Sequence, residues 1–134
     1  MPEMITVLLV EPLKPPRLIE FEHTLENLRE MVGGNIQAVY PWDDPVALVC
    51  DDEGKFKGYP ANRVLVGEDG EPYDLVVGTF FICGLTADNF GSISDELAEK
   101  YSEKFQYPEM LMRRMDGHVV WYRIGSGEEP RVIA

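Results

Sequence analysis

The chain reads as an α+β fold: a mixed β-sheet packed on one main helix, with a second helix and a C-terminal strand added. Three observations predict it. Residues 24–34 place Leu25, Leu28 and Val32 at helical spacing, with Thr24 as a capping hydroxyl and Gly33-Gly34 as the positive-φ stop. Residues 46–50 and 79–85 are apolar at nearly every position, as strands covered on both faces are, and the first of these runs is the expected centre of the sheet. Shorter segments alternate with period two. The order hairpin, helix, strands also looks like a β-grasp, in which a mixed sheet wraps one helix.

Taken in order, residues 5–10 are rich in β-branched and leucine side chains, and Glu11-Pro12 followed by Lys14-Pro15-Pro16 stops the strand. Residues 17–22 alternate, with Leu18, Glu20 and Glu22 on a solvated face and Ile19 and Phe21 on the other, so the first two strands form a hairpin. After the helix, residues 36–40 alternate, and a loop over 41–45 leads to the apolar run at 46–50. Asp51-Asp52-Glu53-Gly54 turns the chain, residues 55–59 make a polar-aromatic connection, and 64–66 form a short strand before a second turn at 68–72. Residues 75–77 are apolar up to Gly78, and within the next strand Gly84 marks a bulge or the close approach of another backbone.

Ser92-Ile93-Ser94-Asp95 opens the second helix, whose Leu97, Tyr101 and Phe105 share one stripe and which Pro108 bounds. Met110, Leu111, Met112 and Met115 then form a methionine-rich cluster around two arginines. Residues 118–124 alternate as a strand, and 125–130 loosen into a tail. The expected organisation is a single α+β domain over residues 1–110, with an appended apolar segment, strand and tail over 111–134.

A chain of 134 residues with 45% hydrophobic content can bury a core, which excludes a disordered protein despite a net charge of −12. All of the acidic excess lies in the first hundred residues; the last 34 carry five acids and five bases. Such a surface repels nucleic-acid phosphates and anionic membranes, so direct binding to either is not expected. Pro2 and Glu3 replace the basic start of an export signal, and no apolar stretch approaches a membrane span. Cys50 and Cys83 each sit in an apolar strand-like run, as buried reduced thiols in a cytoplasmic protein do.

No phosphate loop occurs, and Gly125-Ser126-Gly127 lacks the strand-to-helix context of a nucleophile elbow. With His23 and His118 the only histidines, no metal, cofactor or catalytic set emerges, and the reading leans away from an enzyme. Three features remain as binding candidates. Trp42-Asp43-Asp44 is an aromatic flanked by acids in a loop. Asn62-Arg63 pairs an amide with a guanidinium that can clamp a carboxylate or phosphate, against the plainer reading of a turn residue beside an arginine paired with a neighbouring acid. Tyr59 joins Trp42, Trp121 and Tyr122 as a candidate recognition aromatic.

The runs ITVLLVEP, KPPRLIEFEHTLENLREMVGG, YPWDDPVALVCDDEGK, NRVL and GTFFICGL resemble, in that order, the family known as domain of unknown function 3846, found in bacteria, phages and mobile elements. The resemblance covers residues 4–110. It implies a common fold and a mobile-element context, and transfers no catalytic residue.

The functional expectation is a small acidic module with a protein partner, using the Trp42 loop and the Asn62-Arg63 turn. The methionine-rich segment would be the route to a homo-oligomer. Two alternatives stand beside it: a nucleic-acid mimic of phage or mobile-element origin that inhibits a DNA-binding enzyme, and a small-molecule binder or enzyme using Arg63.

Overall fold

A computed structural model describes residues 3–134; Met1 and Pro2, the latter part of the export-signal reading, lie outside the described residues. The fold is α+β and mostly strand. Its main sheet runs β2 (Arg17–Glu22), β1 (Met4–Val10), β7 (Phe80–Leu85), β4 (Val46–Asp51), β3 (Ile36–Val39), with the two-residue β8 (Phe90–Gly91) paired to β7. A hairpin of β5 (Ala61–Val66) and β6 (Pro72–Val77) and a three-stranded meander of β9 (Glu109–Arg113), β10 (Val119–Arg123) and β11 (Arg131–Val132) complete it.

Two expectations about the sheet need correction. Among the described residues every strand pairing is antiparallel, so the sheet is not mixed. The cause lies in the connections: the β5–β6 excursion returns the chain so that β7 runs against both β4 and β1. The middle of the sheet is also β7 rather than the 46–50 strand, which lies one place away.

Both faces of the sheet are covered, and this explains the continuous apolar runs. Ile5, Val7 and Leu9 of β1, Ala47 and Val49 of β4, and Phe81 and Cys83 of β7 point to one face, where Leu28 and Val32 of α1 (Leu25–Val32) close over them. Leu8, Val10, Val46, Leu48, Phe80 and Ile82 point to the other, against Ala98 and Tyr101 of α3 (Asp95–Lys104), Phe105, and Leu65 and Val76 of the hairpin. A β-grasp wraps one helix with a mixed sheet; here an antiparallel sheet lies between two helices.

The local signals act as read. The Thr24 hydroxyl accepts from Asn27 N–H at 3.1 Å, Gly33 takes the left-handed cap at φ 91°, and Ser94 caps α3. A β-carbon on Gly84 would run into the carbonyl oxygen of Ser92, so that glycine marks a close backbone approach. Residues 54–57 form a one-turn helix, α2 (Gly54–Lys57), where only a connection was expected, and the expected tail contains β11, which pairs with β10. The strand β9 crosses residue 110, and its Glu109 reaches back to β5.

Candidate functional site

The three features singled out in the sequence fall in different surroundings. Trp42 is partly buried, its ring 4.5 Å from that of Tyr101 and 5.9 Å from that of Phe105. Asp44 Oδ2 accepts from Lys100 Nζ and from the Tyr101 hydroxyl, both at 2.6 Å. Those two bonds hold the Asp44 carboxyl below its usual range, and burial with the Asp44 contact pushes the Tyr101 phenol up. Asp43 alone of this loop is exposed and acidic. The loop is therefore fastened to α3 by the groups that made it a candidate.

Tyr59 fills a collar of glycines. Its ring lies 2.5 Å from where a β-carbon on Gly78 would stand and 3.3 Å from one on Gly54, and its hydroxyl donates to Asp51 Oδ2 at 2.9 Å. Lys57 Nζ reaches the same oxygen at 2.7 Å, and Glu53 N–H takes Oδ1. Burial alone would raise the Asp51 carboxyl, but the bonds from Lys57, Glu53 and Tyr59 together bring it below the ordinary range.

Asn62 and Arg63 are 1% and 0% exposed. A bulge in β5 sets two residues, Asn62 and Arg63, where one would pair, so neighbours that should face opposite ways are both buried. A guanidinium has five N–H groups. Here they go to the Phe105 carbonyl twice, the Asn62 side-chain and main-chain oxygens, and the Lys14 carbonyl at 2.7 Å. The Asn62 amide donates to Val10 O and Gly78 O. No N–H of Arg63 is left over for an external anion. This pair ties the β1 turn, the hairpin and the end of α3 together.

Sequence reading missed a different place. Between the end of α3 and the meander lies a cleft of about 450 Å³, lined by Val64, Val66, Phe105, Trp121 and Arg123 around Glu109. Glu109 is 5% exposed, and its Oε1 accepts from Val64 N–H and from the Trp121 indole N–H, both at 2.8 Å. Its Oε2 receives no hydrogen bond among the described residues. No fully buried side-chain oxygen among the described residues lacks a partner, so Oε2 keeps some contact with solvent, and Glu109 lines the cleft. Burial raises the Glu109 carboxyl, opposed by its two N–H donors and by the charges of Arg63 and Arg123. One signal did exist: a tryptophan in an apolar strand needs an acceptor for its N–H.

Among the described residues no group of three or more His, Cys, Asp and Glu side chains could hold a metal ion, and no helix is long and apolar enough to cross a membrane. Both cysteines are free, and burial pushes the Cys83 thiol up to about 12.

Fold and cleft together define a small antiparallel α+β domain with a half-satisfied carboxylate in a concave site. The family described as Domain of unknown function (DUF3846) matches residues 5–106, and the chain belongs to it. No curated protein and no solved structure matches. The match stops short of Glu109, Trp121 and Arg123, so the cleft joins family residues, Val64, Val66 and Phe105, to residues beyond the matched part.

Proposed function

We propose that this is a non-catalytic interaction module whose partner docks on the Glu109 cleft. One observation carries the reading. Asp51, Asn62 and Arg63 have their side-chain polar groups engaged by intramolecular bonds and Asp44 is tied to α3 at a half-exposed position, whereas Glu109 is 5% exposed and keeps one carboxylate oxygen without a hydrogen bond in a cleft that Trp121 and Tyr122 also line. Nucleic-acid mimicry is less well supported: the exposed acids Glu26 and Glu30 lie on α1 and Asp95, Glu96, Glu99 and Glu103 on α3, which cover opposite faces of the sheet. A small-molecule reading centred on Arg63 meets a guanidinium with no free donor.

Affinity capture from the native host, run in parallel with wild type and with Val66→Trp to fill the cleft, tests this. A protein retained by wild type and lost by the variant is expected. A partner retained equally by both would move the interface elsewhere, and recovery of a DNA-processing enzyme by both would revive mimicry.

A further inference from the structure

We propose that the Glu109 cleft receives the cationic end of a basic side chain, lysine or arginine, presented by the partner protein. The inference rests on the interaction-module reading and adds the chemistry of recognition. Glu109 Oε1 is fixed by two N–H donors, which orients the carboxylate and leaves Oε2, without a hydrogen bond among the described residues, as the acceptor that this cleft-lining residue has to offer. An acceptor that is nearly desolvated gains most from a charged donor. The walls suit the same guest, because Trp121 and the half-buried Tyr122 line the cleft, and aromatic rings attract an ammonium or a guanidinium.

The cleft also contains bases, and their engagement decides the sign. Arg123 pairs with Glu128 at 3.2 Å and lies 5.5 Å over the Tyr107 ring; Arg131 pairs with Glu71 at 2.8 Å and donates to Gly70 O. Each arginine is thus balanced by its own acid. Lys104 and Glu129 are both exposed, so Glu109 is the buried one among the charged side chains that line the cleft, and the nearby charges of Arg63 and Arg123 favour its ionised form. A net charge of −12 draws a basic partner toward the domain and disfavours an acidic one.

The test is a titration of the isotope-labelled full chain with N-acetyl-lysinamide, N-acetyl-argininamide, butylamine and acetate, read at the Trp121 indole and Val64 amide resonances. Saturable shifts are expected with the three cations and none with acetate. Glu109→Gln, which keeps an oxygen for the two N–H donors, should weaken the cations by about tenfold or more. Val66→Arg, which adds a fixed cation to the wall without touching those bonds, should weaken them similarly and serves if Glu109→Gln fails to fold. Absent shifts, shifts with acetate, or cation binding unchanged in either folded variant would overturn the proposal. Tighter binding of butylamine than of the two amino-acid amides would also overturn it, pointing to a free amine. Cleft-dependent capture of a protein without any cation response would sink this inference alone; cation binding without cleft-dependent capture would sink the module reading instead.

Discussion

Arg63 and Val64 are neighbours in β5, yet they serve opposite kinds of polar site. Arg63 turns into the core and has all five N–H groups bonded to oxygens of its own chain, whereas Val64 sends its N–H to Glu109, a carboxylate with one oxygen still open. A buried polar group with every partner supplied fixes the surrounding segments in one arrangement. One with a missing partner, beside a cavity, has something left to bind. Both ionisable groups are buried, though of opposite charge, and they differ in the completeness of their hydrogen bonding.

The largest effect should come from breaking the complete site. Arg63→Ala strands the Phe105 and Lys14 carbonyls and opens a void, and should cost about 3–5 kcal/mol in equilibrium urea unfolding. A loss under about 1 kcal/mol would mean that water replaces the guanidinium and that the site is not closed. Next comes the glycine collar of Tyr59. Gly78→Ala adds a β-carbon 2.5 Å from the ring at φ 71° and should cost about 1–3 kcal/mol by the same measurement.

Acid titration sharpens the contrast between two carboxylates. Asp51 has its folded pKa depressed, so its contribution is present above the unfolded pKa and is lost as pH falls through the folded value; Asp51→Asn should flatten the acid limb of a stability–pH curve. Glu109 has the opposite sign. Its raised folded pKa gives a contribution that is full below the unfolded pKa and lost as pH rises through the folded value, so the ionised form is a burden near neutrality. Glu109→Gln should therefore be no less stable than wild type at neutral pH, with the difference shrinking toward pH 4 in thermal melts. A clear destabilisation at neutral pH would show that the carboxylate is needed by the fold, as counter-charge to Arg63, and would remove the contrast.

The sequence showed most elements because they announce themselves locally. Thr24 and Ser94 are caps whatever surrounds them, and 46–50 and 79–85 are apolar because both sheet faces are covered. Strand direction is not a local property, and nothing in residues 5–10 or 79–85 says that they pair antiparallel. Asn62 and Arg63 look exposed because polar neighbours usually are; only the bulge, a feature of the pairing, places both inside. Glu109 was illegible for another reason: its partners, Val64 and Trp121, lie 45 and 12 residues away, and no spacing rule links them.

The central strand carries a further consequence in Cys83. Its thiol is fully enclosed and its pKa is pushed up to about 12, so almost no thiolate exists near neutral pH while β7 stays in place. Alkylation of Cys83 then waits for an opening that exposes this part of β7. The rate at which an added reagent marks that sulfur, read apart from the half-buried Cys50, would report the openings that expose β7, so the chain carries its own probe of them, one that needs no engineered label.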